Sequence, residues 1–251
     1  MRNLVLFAFI FCFSLSTCFG KEILLTSQNT VALTGPVTSS SMAEIMHQLS
    51  EMSQKEQPSD PIYLVLNTPG GSVYAGLELI EYMNTLRRPV TVIANFAASM
   101  GFHILQHSER RLVTKFATIM SHRANGSFSG DIPQQVSSRL KHVVDLVTKM
   151  DEHVISRTNG KYNKQSYMDL IRDEYYAVGS DAIKDGFADE VVSLKCDDTL
   201  NVYKEKTINV FVFSFKVKVS ACPLASLPIS ADGENTKQVF DYFTTIRGME
   251  P

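Results

Sequence analysis

Apolar positions along the chain alternate between short continuous runs and a spacing near 3.6, and each switch marks an element. Residues 22–25 and 30–33 are short apolar runs that predict strands. Gly35-Pro36 breaks the second run, and Ser39, Ser40 and Ser41 can cap a helix over 42–52, where Met42, Ile45, Met46 and Leu49 fall at i, i+3, i+4 and i+7. A polar loop at 54–60 leads to a buried strand at 62–66, a glycine turn at Gly70-Gly71, and a helix over 74–86 with Leu77, Ile80 and Met83 in phase. Residues 89–94 read as a fully buried strand opened by Pro89, and Phe102, Ile104 and Leu105 as the apolar face of the helix after it. Strands at 111–115 and 118–121, helices at 132–157, 164–172 and 181–185, and a closing strand at 188–194 complete the series. Strand and helix in repeated order argue for an α/β fold with parallel pairing and right-handed crossovers.

The helix over 132–157 carries a wide stripe of Leu140, Val143, Val144, Leu146, Val147, Met150 and Val154. At 1.5 Å per residue it is long enough to extend past a compact domain, so the stripe either packs in the core or meets a neighbouring subunit. Beyond residue 195, residues 207–219 alternate well. Phe211, Phe213, Phe215, Val217 and Val219 share one face, with Ser214, Lys216 and Lys218 on the other, as expected of one half-buried strand. Residues 238–246 suit a short amphipathic helix.

The first 20 residues stand apart from this pattern. Arg2 precedes nearly continuous apolar sequence from Leu4 to Phe19, followed by Gly20. This reads as a signal peptide or membrane anchor, short for a full span, and places the protein as exported or membrane-associated. Leu15-Ser16-Thr17-Cys18 loosely resembles a lipobox. If this segment is not a signal, the chain is cytoplasmic. The chain is expected to divide at 1–20, 21–195 and 196–251, the last an extension of unassigned role.

Of the four cysteines, Cys12 and Cys18 lie in the leader, leaving Cys196 and Cys222 either as a disulfide or as two unrelated thiols. No Cys/His cluster suggests a metal or cofactor. A net charge of -2 gives no electrostatic case for a nucleic-acid partner.

Candidate chemistry sits where three predicted strands end. Asn67-Thr68-Pro69-Gly70-Gly71-Ser72-Val73 follows one, Ala97-Ala98-Ser99-Met100-Gly101 the next, and Ser121-His122-Arg123 the third. Ser99 sits at a strand-to-helix junction, where a helix N-terminus favours developing negative charge. Serine is a weak nucleophile that needs an adjacent base, and His122 is placed to serve. Gly71 has no side chain, so an extended peptide can lie along that edge. His103 and His107, on the helix after Ser99, read as packing or solvent-facing; His47, His142 and His153 read as surface residues.

These segments, with Leu33-Thr34-Gly35-Pro36-Val37 and Ile62-Tyr63-Leu64, occur in the order and spacing of the Clp protease proteolytic subunit, and the chain resembles that family over about residues 30–195. The resemblance implies a crotonase-like ββα spiral with a long protruding handle helix, and a serine endopeptidase acting on peptides or unfolded proteins within heptameric rings. It implies Ser99 as nucleophile, His122 as general base, and the backbone N–H groups of Gly71 and Met100 as oxyanion hole. The triad acid departs from the family pattern: counting back from Gly186 reaches Glu174, while Asp173, preferred for its side-chain type, needs a one-residue shift. The family's N-terminal docking segment is not recognisable in residues 21–29, and an exported chain meets no ATP; both argue against an ATPase unfoldase partner. A signal-peptide-peptidase-like Ser–Lys protease, a non-catalytic assembly or peptide-binding relative, and an acyl-CoA enzyme of the same fold are the competing readings.

Overall fold

A computed structural model describes residues 21–55, 61–210, 213–225 and 228–231. The leader, Phe211 and the helix expected at 238–246 lie outside the described residues.

Five strands and three helices build the frame of the site: β1 (Lys21–Leu25), β2 (Thr30–Thr34), α1 (Ser39–Ser53), β3 (Ile62–Thr68), α2 (Val73–Met83), β4 (Val90–Ala98), α3 (Met100–His107) and β5 (Arg111–Ser121). They are followed by α4 (Gln134–Ser156), α5 (Lys164–Leu170), β6 (Tyr175–Val178), α6 (Ser180–Lys184) and β7 (Glu190–Cys196). Seven strands form one sheet in the order β1-β7-β5-β4-β3-β2, every pair parallel, with β6 antiparallel on β5. The parallel pairing expected from the alternation of elements is therefore present.

Helix starts follow the sequence chemistry. Thr38 and Ser41 form a capping box at α1, and Ser72 caps α2 by accepting from the Ala75 N–H. Met42, Ile45, Leu49 and Met52 of α1 are buried against the sheet face that also packs Leu64, Leu66, Leu79, Phe102 and Phe187. The opposite face, lined by Ile23, Leu25, Val65, Ile93, Leu112 and Val192, is a second, smaller core.

Three expectations are corrected. The strands predicted at 111–115 and 118–121 are one strand, β5, in which pairing to β4 jumps from Ala94↔Val113 to Phe96↔Thr118. β6 was not foreseen: four residues, buried at Tyr175 and Ala177 and exposed between, are too few to establish an alternation. The single strand expected over 207–219 is two, β8 (Tyr203–Val210) and β9 (Phe213–Ser220), antiparallel with Val210 opposite Phe213, and β10 (Pro228–Ala231) adds to β9. The run contains no Gly, Pro or Asp between 208 and 214 to signal a reversal, so its alternation reads through the turn.

Cys196 and Cys222 form a disulfide across 26 residues of sequence, resolving the alternatives left open by their count. Leu200, Ala221 and Cys222 close the second core. A loop of this size should contribute about 3–4 kcal/mol through the unfolded chain. Cys196→Ala/Cys222→Ala is expected to lower the unfolding free energy measured by urea titration by that amount; an unchanged free energy would show that the disulfide adds no stability.

Candidate active site

The three parallel strands β3, β4 and β5 each end at a residue named above, and parallel pairing brings those ends side by side. Thr68 pairs with Ala97, and Ala98 with Met120, so the glycine turn, Ser99 and His122 emerge at one edge of the sheet.

The glycine turn is fixed to its neighbours by backbone bonds. The Val37 N–H donates to Gly70 O at 2.8 Å, and the Ser72 N–H to Val37 O at 2.8 Å, so the Gly71 N–H and C=O face away from residue 37. Among the described residues the Gly71 and Met100 N–H groups have no protein hydrogen-bond partner. Gly70 has φ 92°, and a Cβ there would stand 2.6 Å from Ala98 O, 2.7 Å from Met100 N and 2.7 Å from Ser99 Cβ. The turn therefore packs closely on the backbone at Ala98 and Met100, on either side of Ser99, an approach open only to glycine.

Ser99 itself has φ 52° and ψ -117°, a sharp non-helical corner between β4 and α3. The Ser99 N–H donates to Met120 O at 2.9 Å, anchoring the corner on β5. Side chains with positive φ are rare, and such strain concentrates at functional positions. The corner projects Oγ toward His122, whose Nε2 lies 2.8 Å away. With the ring proton on Nδ1, Nε2 accepts the hydroxyl hydrogen. Below, Ser121 Oγ and the buried Tyr167 hydroxyl are 3.1 Å apart, and an Arg123 guanidinium N–H donates to Met168 O at 3.0 Å, tying the strand end to α5.

The carboxylates are placed differently. Asp173 lies in a turn, not an extended segment; its side chain is 78% exposed and accepts from Arg172 Nε at 3.1 Å. The β5–β6 ladder ends at Ser121↔Tyr175, so one further step would set Glu174 opposite His122. Glu174 has φ 67°, which takes it out of the ladder, and its carboxylate accepts from the Tyr176 hydroxyl at 3.0 Å. Among the described residues neither carboxylate hydrogen-bonds His122. Sequence counting had no signal for this left-handed corner, because the residue is not Gly or Asn.

Of the other histidines, His47 and His142 are exposed and His103 and His107 pack, as expected; His153 is the exception. His107 and His153 stack at 3.9 Å between α3 and α4, so His153 is half-buried rather than a free surface residue. His103 is buried, its Nδ1 without a hydrogen-bond partner among the described residues, and burial, then the neighbouring His107, His122 and His153, pushes its pKa down to about 3. The fold thus holds His103 neutral while the unfolded chain protonates near 6.5. Stability present above pH 6.5 is lost as pH falls toward 3, by at most about 5 kcal/mol. Asp151, raised to about 6 by burial, acts in the opposite sense. In His103→Phe the thermal midpoint should therefore fall less between pH 7 and pH 4 than in the parent; equal falls would contradict a neutral buried His103.

The Clp protease family's sequence profile matches residues 19–195. The ATP-dependent Clp protease proteolytic subunit of Streptococcus mutans is 32% identical over 171 residues, spanning 67% of this chain and 86% of that protein. Proteins of the same description from Streptococcus suis and Streptococcus pyogenes serotype M5 are each 31% identical over 172 residues, with the same two coverages. The strand-end motifs all fall inside the matched region, and the disulfide-stapled tail falls beyond it.

Proposed function

Because the chain belongs to the Clp protease family, we propose that it is a serine endopeptidase in which Ser99 attacks the peptide carbonyl and His122 takes and returns the proton. The observation that carries this is the 2.8 Å contact between His122 Nε2 and Ser99 Oγ at a strained strand-to-helix corner. Proton transfer to His122 makes the Ser99 oxygen nucleophilic, and the resulting imidazolium then protonates the leaving amine. The tetrahedral oxygen is received by the Gly71 and Met100 N–H groups, which donate to no other group among the described residues; the loss of one such donor costs about 10²–10³ in rate. The outward-facing Gly71 N–H and C=O also offer a peptide the start of an added strand. Ser99→Ala should abolish cleavage of a fluorogenic peptide with the fold intact, and retained cleavage would refute the assignment.

Glu174 is the proposed orienting acid, since the β5–β6 ladder ends at Ser121↔Tyr175 and one further step of that register would bring Glu174, not Asp173, opposite His122. Loss of an orienting acid costs about 10⁴ in turnover in a related triad. Glu174→Gln should therefore be severe and Asp173→Asn nearly silent; full activity in both would mean a dyad. His122 Nδ1 has no hydrogen-bond partner among the described residues, which also favours a second reading, a peptide-binding relative without catalysis, which Ser99 acylation would eliminate.

Assembly into rings of identical subunits is proposed from α4. Its C-terminal half is buried at Met150 and Val154, while Leu140 and Val144 in its N-terminal half are 48% and 53% exposed. An apolar stripe on a projecting half-helix is stabilised by a partner of the same kind. Light scattering should find a large oligomer that Leu140→Glu/Val144→Glu disperses; a monomeric parent at micromolar concentration would contradict it. Export is proposed from the apolar run at residues 4–19 and is supported by the disulfide, which persists in oxidising compartments. No described helix is long and apolar enough to cross a membrane.

A further inference from the structure

The second face of the sheet carries a polar chain that ends in the C-terminal tail. Thr114 Oγ1 donates to Asn95 Oδ1 at 3.1 Å, Asn95 Nδ2 to Asn67 Oδ1 at 2.7 Å, and Asn67 Nδ2 to Pro223 O at 3.0 Å. These three side chains belong to β5, β4 and β3, the strands that end at His122, Ser99 and the glycine turn. Asn67 is buried, with its amide hydrogen bond to Pro223 shielded from water.

Asn95 is a bulge. The β3–β4 register passes from Leu66↔Ala94 to Asn67↔Phe96, and the β4–β5 register from Ala94↔Val113 to Phe96↔Thr118, so Asn95 is skipped on both sides. Bulges re-aim the strand beyond them, here residues 96–98 and then Ser99. A bulged residue with no ladder partner is held by its side chain, and Asn95 is held through Thr114 on one side and Asn67 on the other. Asn67 has its last amide bond to a carbonyl of the tail. That carbonyl is one residue from Cys222, which the disulfide fixes to the end of β7, where Cys196 pairs with Leu25.

We propose that the disulfide-stapled segment after residue 196 is a positioning element of the active site: Pro223, acting through Asn67 and Asn95, sets how the strand ends carrying Gly71, Ser99 and His122 meet. The staple holds the carbonyl over Asn67; Asn67 orients the Asn95 amide; Asn95 fixes the bulge that aims Ser99. A displacement of about 1 Å at a reacting group costs as much as 10²-fold in rate, so a brace of this kind has catalytic leverage without touching substrate.

This inference rests on Ser99 being the nucleophile, and the test separates the two. The rate of Ser99 acylation by a fluorophosphonate, and kcat and KM for a model peptide, are measured on the full chain with the disulfide closed and after opening by a dithiol. The dithiol leaves as its cyclic disulfide and two protein thiols appear on titration. The same is done for Asn67→Leu. Opening the disulfide and Asn67→Leu should each lower acylation and kcat by about tenfold with KM unchanged, and reduction of Asn67→Leu should add little, since the two act on one chain of contacts. If the opened protein loses its fold, Asn67→Leu with the disulfide closed is read alone, and the same tenfold fall is expected. Equal acylation rates in closed parent, opened parent and Asn67→Leu would overturn the inference, as would effects that simply multiply. No acylation of the closed parent would instead refute Ser99 as nucleophile.

Discussion

His122→Ala is expected to lower turnover of a model peptide by about 10⁶-fold, the scale at which loss of the base in a serine peptidase leaves only transition-state binding. The reason is local. Ser99 Oγ has one hydrogen-bond partner among the described residues, Nε2 of His122 at 2.8 Å. Without the imidazole the hydroxyl keeps its proton at neutral pH, and the leaving amine has no donor. The side chain is only half-buried at a strand end, so unfolding should be nearly unaffected. Peptide hydrolysis and thermal unfolding measured on the same preparation check both halves. Activity within tenfold of the parent would mean that another group serves as base.

Gly70→Ala is the second large effect. At φ 92° an alanine is strained, and its Cβ would press on Ala98 O, Met100 N and Ser99 Cβ, all backbone or catalytic atoms with no flexible end to yield. The corner must open, moving Ser99 from His122 and the Met100 N–H from the oxyanion position together. Loss of the oxyanion donor alone predicts a fall of about 10²–10³ in kcat, and the misplaced nucleophile should deepen it. Gly160→Ala supplies the control: φ is 80°, nothing lies within 4 Å of the added carbon, and the site is untouched. Both variants should lose about 1–3 kcal/mol of stability to backbone strain, but only Gly70→Ala should lose activity. Equal activity in the two would mean that the close approach has no bearing on catalysis.

Much of this was legible in the sequence where one physical cause dominated. Met42, Ile45 and Leu49 sit at helical spacing because α1 buries one stripe, and the buried strand runs at 62–66 and 89–94 mark a parallel sheet covered on both faces. Gly70-Gly71, Ser99 and His122 stood out because each closes such a run, and parallel pairing carries run-ends to one edge. Features set by tertiary context were not legible. Asn95 looks like a polar residue inside a strand, and only the register on both sides reveals a bulge. Glu174 takes a left-handed backbone that nothing in Arg172-Asp173-Glu174-Tyr175 announces. The reversal between β8 and β9 falls within a run of apolar residues without turn chemistry. The tail's seat on the second face depends on a disulfide whose pairing two leftover cysteines permit but do not require.

The most direct measurement is the mass of the protein after exposure to a fluorophosphonate, with the modified residue located by peptide mapping. One adduct on Ser99, absent from Ser99→Ala and formed far more slowly in His122→Ala, is the result predicted for a Ser–His nucleophile at the corner between β4 and α3. No adduct on the folded parent, or an adduct on another residue, would contradict it.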